Sequence, residues 1–96
     1  MLFEWDAAKG LHNARERRLP FEVAMALFDN PTLEISDLRR DYGEARIKAI
    51  GIVRDSVLAC VYTDRGDLRR IVSLRVANGR ERDAYRAAYP TRSRSE

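Results

Sequence analysis

A chain of 96 residues with 45% hydrophobic and 34% charged side chains has the composition of one folded domain, not of a disordered segment or of two domains. No apolar run approaches the roughly 20 residues needed to span a bilayer, and the start Met1-Leu2-Phe3-Glu4 lacks the basic-then-apolar pattern of a secretory leader. The formal charge of +3 is unevenly laid down: residues 1–41 carry six Lys/Arg against eight Asp/Glu, and residues 42–96 carry twelve against seven, eleven of the twelve being arginine. Arginine forms paired hydrogen bonds to phosphate better than any other side chain, so two readings stand: an anionic partner, nucleic acid first, or a solvated surface of alternating charge.

Leu2 to Trp5 reads as a short first strand. Asp6 then caps a helix running to about residue 18, with Ala7, Leu11 and Ala14 at helical spacing on one face. Pro20 suits the first position of a second helix, in which Phe21, Ala24, Met25 and Phe28 form an apolar stripe that Asn30-Pro31 terminates. Thr32 to Ile35 alternates as a strand with Leu33 and Ile35 on one face, and the charged stretch from Leu38 ends in a turn at Gly43. Three strands follow, Ala45–Val53, Val57–Thr63 and Leu68–Val76. Their connections, Arg54-Asp55-Ser56 and Asp64-Arg65-Gly66-Asp67, are short enough to make them antiparallel neighbours. The middle strand is apolar on both parities, as a strand covered on both faces must be, and its Cys60 reads as a buried small hydrophobe in a reducing, cytoplasmic setting. Asn78 caps a last helix with Glu81 completing a capping box, and Ala84, Tyr85 and Ala88 turn to the core. The expected fold class is α+β, an antiparallel sheet with two N-terminal helices and one C-terminal helix, occupying residues 1–90 as a single domain with 91–96 as a disordered tail.

There is no Gly-rich phosphate loop, no His/Cys cluster and no paired-histidine spacing, so neither a cofactor nor a metal is expected. His12, the only histidine, reads as a surface or half-buried helix residue. What remains is a set of cations: Arg46 on the first strand of the meander, Arg65 in the hairpin turn, Arg69, Arg70 and Arg75 on the last strand, and Arg80 and Arg82 in the first turn of the last helix. A two-residue period puts Arg75 on one face with Arg69, Ile71 and Ser73. Arg80 and Arg82 sit at the positive end of a helix dipole, where a bound anion relieves them; pairing of these arginines with Glu44, Glu81 or Asp67 is the alternative. RNA cleavage by attack of a 2′-OH on the adjacent phosphorus needs an oriented backbone, stabilised charge and a moved proton. Fixed arginines supply the first two, and a carboxylate such as Glu44, or Tyr62, can shuttle the proton if its pKa is shifted.

Phe3-Glu4-Trp5-Asp6-Ala7-Ala8-Lys9, then Asn13 and Phe21-Glu22, resembles the start of the BrnT toxins. So do Asp41-Tyr42-Gly43-Glu44-Ala45-Arg46 with Ala49-Ile50-Gly51, and Val61-Tyr62-Thr63-Asp64-Arg65-Gly66 leading into Arg70 to Arg75. Ala77-Asn78, Arg80-Glu81 and Tyr85 complete the pattern. The resemblance implies a RelE/ParE-like fold and a ribonuclease that blocks translation. It also implies neutralisation by a BrnA-type antitoxin, with operator DNA reached only through that antitoxin, and no membrane. Lys9, Arg46, Arg65 and Arg75 fall at family-typical positions. The expected catalytic set is therefore Glu44, Arg46, Arg65 and Arg75, with Lys9, Arg17, Arg70, Arg80 and Arg82 binding RNA. Where many members carry a Lys-His-Gly turn, this chain has Glu16-Arg17-Arg18, which suggests a differently shaped turn before Pro20. Two other readings remain: a toxin that poisons a protein target without catalysis, and a degenerate toxin kept as the antitoxin's partner and co-repressor. An antitoxin either covers the arginine face or packs on the first two helices; acidic side chains gain most on the arginines, so direct occlusion is expected.

Overall fold

In the computed structural model, which describes residues 1–38 and 43–90, the elements run β1 (Leu2–Trp5), α1 (Ala7–Arg17), α2 (Val23–Leu27), β2 (Leu33–Ser36), β3 (Ile47–Val53), β4 (Ser56–Arg65), β5 (Leu68–Val76) and α3 (Gly79–Ala88). The Asp41-Tyr42 part of the central motif, most of the turn before Gly43 and the segment 91–96 lie outside those residues. The strands form one sheet in the order β1-β5-β4-β3-β2. Two-residue loops at Arg54-Asp55 and Gly66-Asp67 join β3, β4 and β5 into the expected antiparallel meander, and Gly66 takes the positive φ of 62° that its turn requires. No helix among the described residues is long and apolar enough to cross a membrane.

The sheet is mixed, not purely antiparallel: β1 lies parallel to β5, with Leu2 opposite Leu68 and Trp5 opposite Ile71. Loop length dictates direction only between strands joined by a short turn, and β1 and β5 are separated by two helices and three strands. A second departure is a bulge in β5. Ser73 pairs with Val61 but Ile71 pairs with Tyr62, so Val72 is an extra residue and the alternation inverts across it. Arg69 and Ile71 therefore point to one face of the sheet, and Ser73 and Arg75 to the other.

On the first face, Phe21, Ala24 and Leu27 pack over Ala49, Leu58, Cys60, Tyr62, Ile71 and Leu74, with Phe3, Trp5 and Phe28 at the margin. The second helix is a single short one. Pro20 opens a turn, accepting from the Val23 N–H, instead of occupying the first helical position, and Met25 stays 40% exposed. The α1 face also differs from the expected one. Leu11 is 60% exposed, and the buried residues are Gly10 and Asn13. A Cβ at Gly10 would lie 3.0 Å from Trp5 Cδ1, so the helix approaches β1 through a missing side chain. Asn13 Nδ2 donates to the carbonyls of Leu19 at 2.8 Å and Leu74 at 2.9 Å, satisfying a β5 carbonyl beyond the end of β1. A count of apolar residues cannot see packing carried by a glycine and an amide.

On the second face, Ile50, Val57, Ala77 and Tyr85 form a smaller cluster with Leu33 and Ile52. Asn78 and Glu81 make the capping box in both directions, each hydrogen bond 2.9 Å long. Below the cap, α3 touches the sheet by one edge only: Tyr85 is buried, while Ala84 and Ala88, expected in the core, are exposed. The rest of this face stays open and forms a groove.

At the end of α1, Arg18 adopts φ 56°, the left-handed conformation a glycine would take, so the turn keeps that shape at the cost of strain on a residue with a Cβ. Arg18→Gly is expected to raise stability by about 0.5–1 kcal/mol, after allowing for glycine's larger unfolded-state entropy. Thermal denaturation should show the midpoint rising by roughly 2–8 °C.

Candidate functional site

The groove is built from α1, the lead-in to β3, and β4 and β5. Thr63 Oγ1 donates to the Ala45 carbonyl at 2.6 Å and the Asp37 N–H donates to the Arg46 carbonyl at 2.8 Å, which pins the segment carrying Glu44 and Arg46. The two Asn13 hydrogen bonds hold α1 against the sheet so that Lys9 and His12, one turn apart, form a wall. The central part, about 380 Å³, lies between that wall and Arg46, Val61, Val72 and Ser73. One extension shares Lys9, Arg46 and Val72 and reaches Glu44, Arg65 and Arg70; the other shares Val61 and Ser73 and reaches Lys48, Arg75 and Glu81.

The arginines here are held by carboxylates. Arg65 Nη2 lies 3.1 Å from Glu44 Oε1 and Arg46 Nη2 lies 3.5 Å from Glu44 Oε2. Arg70 Nη1 is 3.2 Å from Glu4 Oε2. Arg75 donates twice to Glu81, at 2.7 and 2.8 Å, and Lys48 Nζ lies 2.7 Å from the same carboxylate. The hydrogen bond from Arg65 holds the Glu44 carboxyl below its ordinary range. The Arg75 hydrogen bonds, with Lys48 and the Asn78 N–H behind them, hold Glu81 down to about 2. The anion at the start of α3 is thus supplied by the chain itself.

A family model for BrnT, the ribonuclease toxin of type II toxin–antitoxin systems, matches residues 5–81. The chain belongs to the BrnT family. Every groove-lining residue, from Asp6 to Glu81, falls within the match, and membership implies an antitoxin partner. No curated protein matches the chain.

Of the residues expected to act in this BrnT chain, Lys9, Glu44, Arg46, Arg65, Arg70 and Arg75 come together along the groove. Arg17 does not: it lines a separate cleft at the other end of α1. Arg80 is exposed and lines neither place, and Arg82 Nη1 donates to the Ala77 carbonyl at 2.8 Å. Tyr62 is on the opposite face, in the core. It donates to Glu34 at 2.7 Å beneath the Arg69 guanidinium, and burial pushes its hydroxyl well above the ordinary tyrosine range. Arg69 is there too, bonded twice to Asp64, because of the Val72 bulge. Cys60 is likewise buried, its thiol pushed up to about 12 by desolvation. Two groove residues lie outside the expected site set, and one of them, His12, had the pattern of a surface or half-buried helix residue. Lys48 shares a parity with Arg46, and His12 follows Lys9 by three, so both signals were present without anything to show that those faces meet.

Proposed function

We propose that this BrnT chain is a ribonucleolytic toxin of RelE/ParE-like architecture that acts in the cytoplasm, cuts RNA in the groove and so blocks translation. A BrnA-type antitoxin neutralises it. The observation that carries the reading is the convergence of Lys9, His12 and Arg46 on one open cleft flanked by further arginines. The 2′-oxygen attacks the adjacent phosphorus, the bond from phosphorus to the 5′-oxygen breaks, and the products are a 2′,3′-cyclic phosphate and a 5′-hydroxyl. Arg46 and Lys9 stabilise the charge that builds on the phosphoryl oxygens, and Arg65, Arg70 and Arg75 hold the flanking backbone. Glu44, bridged by two arginines and holding its proton weakly, is a poor base, so we assign it to positioning Arg46 and Arg65. The proton from the 2′-OH goes to His12, since imidazole is the side chain suited to proton transfer near neutral pH, and the leaving 5′-oxygen takes its proton from water in the open groove. No metal takes part in this scheme.

The test is cleavage of a defined single-stranded RNA by purified protein, with and without a chelator. A copy carrying 2′-deoxyribose at the cut site and a His12→Gln variant complete the set. Cleavage of the RNA alone, unaffected by the chelator, is expected. His12→Gln should cut the RNA about 10²-fold more slowly. Cutting of the deoxy copy overturns the 2′-OH mechanism, and loss of cutting with the chelator overturns the metal-free one.

A further inference from the structure

The cations of the groove are largely answered by carboxylates, whereas three of the cations that have no ion pair among the described residues stand together elsewhere. Arg17, Arg18 and Arg54 stand around a cleft of about 430 Å³ between the end of α1, α2 and the β3–β4 loop, and none of them has an ion pair among the described residues. Among the described residues no acidic side chain lines this cleft; its floor is aliphatic, from Val23, Ala26, Val53, Leu58 and Val76. Val76 is 58% exposed at the end of its strand, a large fraction for a valine. Arg18 and Arg54 are also the described non-glycine residues with positive φ, 56° and 57°. Two charged side chains are thus held at the rim by turns that a glycine would form with less strain. Among the described residues the cleft shares no lining residue with the groove.

We infer that this cleft is a docking site for an acidic amphipathic helix of a protein partner, with apolar side chains in the cleft and carboxylates on Arg17, Arg18 and Arg54. Three like charges around an apolar floor repel one another, and a partner's carboxylates relieve that repulsion as they bind. The helix-in-groove mode needs such a floor and rim. An RNA strand gains little from it, because a single strand binds through stacking on aromatic rings and the floor has none. The partner is the antitoxin that family membership implies. Its acidic residues find fewer open cations in the groove, where Glu44 and Glu81 already occupy Arg65 and Arg75. Occlusion of the groove is then not the main source of affinity, and the inference holds whether or not the groove cuts RNA.

The experiment is calorimetric titration of the cognate antitoxin into the full chain, into an Arg17→Glu/Arg54→Glu variant, and into Ala26→Glu, which places a carboxylate at an exposed α2 position in the cleft. A short single-stranded RNA is titrated in parallel, and circular dichroism checks each fold. Both variants should bind the antitoxin about 100-fold more weakly and bind the RNA as the parent does. Unchanged antitoxin affinity in the two variants overturns the inference. A loss confined to RNA also overturns it and makes nucleic acid the occupant.

Discussion

Arg46→Ala is expected to lower the single-turnover rate of RNA cleavage by about 10²–10³-fold, with an unchanged melting temperature to within a few degrees. Arg46, with Lys9 facing it, is common to the centre of the groove and its Arg65–Arg70 extension, so a bound phosphate meets it from either side. Its side chain is only 23% exposed, against 56% for Arg65, and the interaction with developing charge is therefore less screened by water. Glu44 holds both guanidinium groups, which makes the donor array rigid before substrate arrives, and rigidity is what gives such donors their catalytic effect. Arg65→Ala should cost no more than about tenfold, in line with a flanking phosphate contact weakened by solvent. Equal losses for the two variants would mean that the groove centre has been misplaced.

Glu81→Gln should be the most damaging single change to stability, lowering the unfolding free energy by about 3 kcal/mol, the lower end of the range for breaking a buried ion pair. Glu81 is 5% exposed and serves three partners at once: the Arg75 fork, Lys48 and the Asn78 N–H that completes the α3 cap. Glutamine keeps the shape and a single acceptor oxygen, but removes the negative charge that half-buried Lys48 and Arg75 share. For a chain of this size the total stability is roughly 5–14 kcal/mol, so the variant folds but melts some 10–20 °C lower. The pH dependence follows in sign. A carboxyl held at about 2, against an ordinary 4.5, contributes stability that is fully present above pH 4.5 and is lost as pH falls toward 2. Glu81→Gln should lack most of that acid-side loss in urea denaturation series, retaining the smaller part from Glu44 and Asp64, whose carboxyls arginines also hold low.

Much of this arrangement is legible in the residues. The unbroken apolar run from Val57 marks β4 as the central strand, the two tight loops dictate the meander, and Asn78 with Glu81 announces the α3 cap. Local rules cover local features. They fail where a distant partner decides. The parallel seat of β1 against β5, the burial of Gly10 and Asn13, and the extra residue Val72 each depend on a contact across the fold. The bulge had the widest effect on the site, because strict alternation from Arg75 back to Arg69 assigns Arg69 to the wrong face. The same blindness applies to charge. The arginine excess was plain, but that Glu44 and Glu81 would hold the groove cations while Arg17, Arg18 and Arg54 form no ion pair among the described residues follows only from where the strands and loops end.

The most direct test of the ribonuclease account is mapping of RNA ends in cells shortly after induced expression, with Arg46→Ala expressed beside it at equal level. New 5′-hydroxyl ends that appear with the parent chain and vanish with the variant are the predicted result. Growth arrest with intact transcripts would contradict the account and move the toxin's target from RNA to a protein.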